Sequence, residues 1–327
     1  MSRIAVDAMG GDRAPGEIVA GAIEAATRGI PITLVGDTAR LEPLLDGADS
    51  SLEIVHATEV IDMADDPAAA LREKKDASIS VAARLVAEGA AAGMVSAGST
   101  GAAIAAAAFI IGRVPGVSRP GLATLMPGEK VVLDSGANVN CRADQLAQFA
   151  VMGAALASSH LHIENPKVGL LNIGEESGKG RDVDREAQAL LTELPGVNFI
   201  GNVEGHDLAT QSADVIVTDG FTGNVFLKTA EGAAHMVQRM LMEIVMGNPA
   251  YQDALAALAP ALGEFRQRLD PETTGGAHLL GIKGVVVIAH GSSSRVAAVN
   301  AIEMAAEGAD DGLPSKIAAG LALGARV

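Results

Sequence analysis

The sequence predicts an α/β protein built on a large, mostly parallel sheet, and three observations carry that expectation. Short β-branched runs alternate with Ala-rich stretches almost from end to end, the pattern of strand–helix–strand crossover units. The hydrophobic fraction is 49% but the aromatic fraction only 2%, with no Trp and one Tyr. Packing must then rely on small side chains and close backbone approach, as when helices stack on a parallel sheet. Finally, glycine-rich polar segments follow the strand runs, where open α/β sheets bind ligands.

In chain order, the expected strands are 4–6, 32–35, 52–56, 94–96, 131–134, 168–172, 197–200, 215–218 and 285–288. Helical patterns between them include 16–27, 79–88 and 145–158. The apolar stretch 89–111 has the length of a membrane span, but glycines and Ser96, Ser99 and Thr100 interrupt it; it reads as strand, loop and buried helix. From about 222 to 269 no strand pattern appears, and two helical patterns meet at Gly247-Asn248-Pro249. This predicts a helix hairpin projecting from the sheet. With no repeat or flexible linker, one compact unit over 1–327 with the hairpin embedded is expected.

Cys141 is the single cysteine, which excludes an intramolecular disulfide and any multi-cysteine metal site and points to a reducing, cytoplasmic setting. The N-terminal MSRIAVDAMGGD lacks the basic region, apolar stretch and cleavage site of an export signal. A formal charge of −16, with 24 Lys and Arg against 40 Asp and Glu, argues against nucleic acid as a partner. It also weakens attraction to anionic lipid.

The loops after the strands are expected to collect at one sheet edge. They read DAMGGDRAP at 7–15, SAGSTGA at 96–102, DSGAN at 134–138, NIGEESGKG at 172–180, GNVEGHD at 201–207, DGFTGN at 219–224 and HGSS at 290–293. The 96–101 loop leads into an Ala-rich helix, so it is either a phosphate cradle or a plain helix cap. The 174–180 loop lacks the Gly-Lys-Ser/Thr ending of a nucleotide P-loop.

Taken together, and in this order, these segments resemble the bacterial phosphate acyltransferase (PlsX) family over nearly the whole chain. DDPAAALREKKDASI at 65–79 and DVIVTDGFTGNVFLKTAEG at 214–232 add to the match. Two departures stand out: Ser99 stands where the family more often has Asn, and Thr274-Gly-Gly-Ala-His278 replaces a more usual Tyr-Gly-Gly-Ala-Pro. The resemblance implies a three-layer α/β/α sandwich of the isocitrate/isopropylmalate dehydrogenase type and a homodimer. It implies transfer of an acyl group from acyl-(acyl carrier protein) to inorganic phosphate. The acyl phosphate product then serves a glycerol-3-phosphate acyltransferase on the route to phosphatidic acid.

For that chemistry the candidate catalytic residues are Lys179, Asp219, Asn224 and His206. Lys179, between two glycines, is suited to holding the phosphate dianion, and Asp219 to orienting Lys179 or a phosphate proton. Asn224 is suited to donating to the oxyanion, and His206 to protonating the leaving thiolate. The plain alternatives are a solvated lysine, turn and cap residues, and a structural histidine. Candidate phosphate or substrate contacts are Asp7, Gly10, Gly11, Asp12, Ser96, Gly98, Ser99, Thr100, Gly101, Asn138, Lys228 and His290. No cofactor or metal is required, and Glu175 and Glu176 read as a charged loop face.

The apolar hairpin stripe is expected to be core and dimer interface, or, as the resemblance implies, a weak peripheral contact with the inner face of the membrane. That contact would use the tip at about 245–255, with Met246, Pro249, Tyr251 and Leu255. Competing readings are a phosphate acetyltransferase-like enzyme using acyl-CoA, a metal- and NAD-dependent β-decarboxylating dehydrogenase, and a non-catalytic adaptor.

Overall fold

A computed structural model describes residues 1–47, 52–248 and 251–324. Its strands are β1 (Ile4–Asp7), β2 (Ile32–Gly36), β3 (Leu52–His56), β4 (Gly93–Ser96), β5 (Gly121–Met126), β6 (Lys130–Leu133), β7 (Lys167–Leu171), β8 (Asn198–Val203), β9 (Val215–Val217), β10 (Ala277–Leu280) and β11 (Val285–Ile288). They form one sheet in the order β3-β2-β1-β4-β11-β10-β5-β6-β9-β7-β8. The protein is thus a mixed α/β fold with a large, mostly parallel sheet and flanking helices.

The helices are α1 (Gly16–Thr27), the short α2 (Thr38–Leu41) and α3 (Pro67–Glu73), α4 (Ser78–Ala87), α5 (Thr100–Ala106), α6 (Ala143–His160), α7 (Asp182–Thr192), α8 (Gly220–Met246), α9 (Gln252–Leu269), α10 (Arg295–Asp310) and α11 (Leu313–Gly324). Alternation along each strand assigns them to faces. Ile4 and Val6 pack with α1 and α10, whereas Ala5 and Met94 pack with α4 and α5. In the other half of the sheet, Val131, Leu133, Val215 and Val217 face α6, α7 and α11. Val132, Ile216 and Val203 face the start of α8.

β5 and β10 were not expected, and they change the architecture. Their sequences, GLATLM and AHLL, contain Gly, Ala and Leu but few β-branched residues, so they carry no strand signal of their own. β10 runs antiparallel to both β11 and β5, and β5 antiparallel to β6. These pairings divide the sheet into two parallel blocks running in opposite directions: β3-β2-β1-β4-β11 and β6-β9-β7-β8. The expectation that all glycine-rich loops share one edge is therefore corrected. The loops after β1, β4 and β11 lie at one end of the strands, and those after β6, β7, β8 and β9 at the other.

α8 and α9 form the expected hairpin and touch each other. Beyond Gly223 no described residue of α8 is buried. Met236, Val237, Met240, Ile244 and Met246 are exposed. Pro249, expected at the tip, lies outside the described residues.

Candidate active site

At the ends of β1, β4 and β11 a buried carboxyl organises the loops. Asp7, 2% exposed, accepts from Ser96 Oγ at 2.6 Å and from the Met9 amide at 3.3 Å, and Ser96 Oγ accepts from the Gly98 amide at 3.1 Å. Burial holds the Asp7 carboxyl above the usual carboxylate range, against the opposing pull of its donors. A Cβ on Gly10 would stand 2.5 Å from Asp7 Oδ2, so only glycine lets the 7–12 loop fold over its own carboxylate. The Asp12 amide donates to Gly291 O at 2.7 Å, which ties the loop after β1 to the loop after β11. There His290 Nδ1 lies 2.8 Å from Ser292 Oγ. Ser99 is buried at the start of α5 without capping it, and Thr100 is exposed.

At the opposite strand ends Asp134, 0% exposed, plays the same part more completely. Its Oδ1 accepts from the amides of Leu122, Gly136 and Ala137, and its Oδ2 from the Asn138 amide and Asn138 Nδ2. Burial pushes this carboxyl upward while those donors pull it back. Asn138 Nδ2 also donates to Pro120 O at 2.8 Å, so its amide is occupied within the loop. The Asn138 carbonyl accepts from the Gly220 amide at 2.8 Å, which joins the loop after β6 to the start of α8. A Cβ on Gly223 would stand 1.9 Å from Asp134 O; no side chain fits between helix and loop.

Asp219 caps α8, accepting from the Thr222 amide at 2.8 Å. Its cation is Arg181 rather than Lys179: Arg181 reaches Asp219 Oδ2 at 2.6 Å and Asp184 Oδ1 at 2.8 Å. The two carboxylates push the Arg181 guanidinium upward, its bond to Asp184 being the larger cause. Lys179 is 51% exposed with Glu176 at 4.0 Å, so its ammonium remains open to an anion. Asn224, exposed on the first turns of α8, donates one N–H to Ser135 O at 3.2 Å and retains a second. His206 is exposed with Glu204 at 3.3 Å, and Lys228 pairs with Glu231 at 2.9 Å.

The structure therefore gathers Lys179, Asp219, Asn224 and Asn138 at one set of strand ends, with His206 on the turn after β8 and Lys228 one turn along α8. It places Asp7, Gly10, Gly11, Asp12, Ser96, Gly98, Ser99, Thr100, Gly101 and His290 at the other set. Sequence reasoning missed Arg181, Asp184 and the organising role of Asp134. Arg181 had a signal, since it follows Gly180 at the N-terminus of an acidic helix, DVDRE. Cys141 lies 3.7 Å from Asn138 O, and its thiol is pushed up to about 12 by burial and by the Asp134 and Asp219 carboxylates. It is not a ready nucleophile.

Residues 2–316 match the model of a family described as fatty acid synthesis protein. A phosphate acyltransferase of Heliobacterium modesticaldum is 50% identical over 314 residues, covering 94% of this chain and 93% of its own. One of Desulforamulus reducens is 47% identical over 325 residues, covering 96% and 95%. Among solved structures, a phosphotransacetylase from Streptococcus pyogenes superposes with a TM-score of 0.64 at 22% identity, over 94% of each chain. A 4-hydroxythreonine-4-phosphate dehydrogenase from Klebsiella pneumoniae does so with a TM-score of 0.56 at 13% identity, over 94% of this chain and 100% of its own. These two show likeness of fold alone. With relatives this close over almost its full length, the chain belongs to the fatty acid synthesis protein family, as a phosphate acyltransferase (PlsX) homologue.

Proposed function

We propose that this protein transfers a fatty acyl group from acyl-(acyl carrier protein) to inorganic phosphate, forming acyl phosphate for phospholipid synthesis. The observation that carries this reading is the Arg181–Asp219 ion pair at 2.6 Å. It fastens the Lys179 loop to the α8 turn bearing Asn224, in a chain whose near relatives are phosphate acyltransferases. Phosphate is already nucleophilic at neutral pH, so the protein needs to position it and stabilise charge. Lys179 holds the dianion, and Arg181 is the positioning residue that sets the loop. Phosphate oxygen attacks the thioester carbonyl, the free N–H of Asn224 donates to the tetrahedral oxyanion, and collapse expels the carrier thiolate. His206, exposed beside Glu204, protonates the departing thiolate to the carrier thiol after collapse. The buried carboxyls of Asp7 and Asp134 shape their loops, Asp7 by accepting from Ser96 Oγ and the Met9 amide and Asp134 by accepting from the Gly136, Ala137 and Asn138 amides.

The same reading includes a single catalytic unit over 1–327 with the hairpin at about 222–269 embedded, supported by the continuity of the sheet. It includes the dehydrogenase-type α/β/α sandwich, supported by the two opposed parallel blocks. It also includes a cytoplasmic homodimer touching the inner membrane face weakly through the exposed hairpin stripe and passing product to a glycerol-3-phosphate acyltransferase. The deciding experiment incubates pure protein with long-chain acyl carrier thioester, with and without phosphate, and measures acyl phosphate. Absence of phosphate-dependent thioester loss refutes the proposal.

A further inference from the structure

A cavity of about 740 Å³ lies on the sheet face covered by the start of α8. Its wall includes Met126, Leu208, Phe226, Leu227, Ala230 and Ala234. Phe226, Leu227 and Ala230 also pack on the buried Val132, Val203 and Ile216, so the wall is anchored in the core. Polar lining groups such as His206, Asp270 and Thr273 are exposed, which places them at the rim.

We infer that this cavity receives the fatty acyl chain of the thioester, with the carbonyl end toward His206 at its rim and the methyl end toward Ala234. The inference rests on the acyl-transfer reading above. Phe226 and Leu227 lie two and three residues after Asn224 on α8, and a rise of about 1.5 Å per residue puts Ala230 about 9 Å and Ala234 about 15 Å beyond Asn224 along the helix axis. The wall therefore extends away from the candidate reacting centre as an extended chain would. The turn bearing His206 rests on the same wall, since a Cβ on Gly205 would lie 3.7 Å from the Phe226 ring. The volume falls in the range of small-molecule sites, about 300–1,000 Å³. A second cavity, of about 1000 Å³ among α6, α7 and α11, is lined by Val151, Leu190 and Leu321 and contains none of the candidate site residues. Each methylene entering an apolar site strengthens binding roughly fourfold, so the depth of this cavity sets chain-length preference.

The test measures kcat/KM over acyl carrier thioesters of increasing chain length for the wild type, Ala230→Phe, Ala234→Phe and, as a control in the second cavity, Leu190→Phe. The long-to-short ratio should fall on the order of 10-fold in Ala230→Phe. Ala234→Phe should affect only the longest chains, and the control should keep the wild-type ratio. A photoreactive fatty-acyl thioester on the wild type should label the 226–234 segment, a readout that does not depend on how the variants fold. Unchanged ratios in folded variants, or labelling elsewhere, overturn the inference. So does loss of dimer mass without a change in ratio, which would assign the cavity to a second copy of the chain. Wild type that forms acyl phosphate but labels elsewhere sinks the cavity alone, whereas wild type that forms none sinks acyl transfer itself.

Discussion

Arg181 grips Asp219 and Asp184 at once, a geometry that a lysine point charge cannot reproduce. Arg181→Lys should lower kcat on the order of 10- to 100-fold through misplacement of the Lys179 loop. Because Arg181 acts through Asp219, combining Arg181→Ala with Asp219→Asn should cost less than the sum of the single effects in a double-mutant cycle; simple additivity would deny the coupling. Lys179, by contrast, is half exposed and holds nothing in the core. Lys179→Ala should reduce activity on the order of 100-fold or more with an unchanged melting temperature, and a variant within a few-fold of wild type would return Lys179 to the surface. The raised thiol of Cys141 leads to the opposite expectation. Cys141→Ala should remain active, and an inactive, natively stable variant would replace direct phosphate attack with a covalent route.

At the scale of elements, α8 does two jobs along its length. Its first turn is locked to the loop after β6, and Gly223→Ala would drive a methyl group into Asp134 O. We expect a loss of about 1–3 kcal/mol or more in urea unfolding, with activity falling in step as Asn224 moves. The far end of the helix is held by little, and its apolar residues face outward. Val245→Asp with Met246→Asp should reduce vesicle co-sedimentation while acyl-phosphate formation and dimer mass persist. Since a charge of −16 opposes anionic lipid, attachment should depend on apolar burial and survive added salt. Dissociation of the dimer by these substitutions would instead make the stripe a protein interface.

For the whole molecule, a histidine pair links the two halves of the sheet's helical layer. His278, 1% exposed on β10, places Nε2 3.0 Å from His160 Nε2 at the end of α6, and His160 Nε2 also lies 3.2 Å from Met304 O on α10. Burial pushes both imidazoles down; Glu307 and Asp311 oppose this at His160, and His160 itself adds to it at His278. Each is neutral in the folded protein and protonates more readily once unfolded. Stability is therefore full above the unfolded value of about 6.5 and falls as pH drops from there toward the depressed folded values. Urea midpoints should decline between pH 7 and 5, and His278→Gln should flatten that slope. Carboxylates held low by partners, such as Asp65 with Lys74 and Asp311 with Lys316, act only near and below pH 4. An unchanged midpoint down to pH 5 would refute the pair as the source.

The sequence by itself determined what depends on short range. The β-branched runs marked β1, β2, β3, β4, β6, β7, β8, β9 and β11, and the strandless stretch from about 222 to 269 marked the hairpin. The ordered glycine motifs marked the family, because tight turns, capping and apolar periodicity are written in neighbouring residues. Only the tertiary structure decided that β5 and β10 are strands, since GLATLM and AHLL become strands by pairing with partners distant in the chain. That pairing reversed the second block and separated two loop sets that the sequence had placed together. It also chose Arg181 over Lys179 as the partner of Asp219. Such a choice depends on where two loops from β7 and β9 end in space, and no local spacing encodes that.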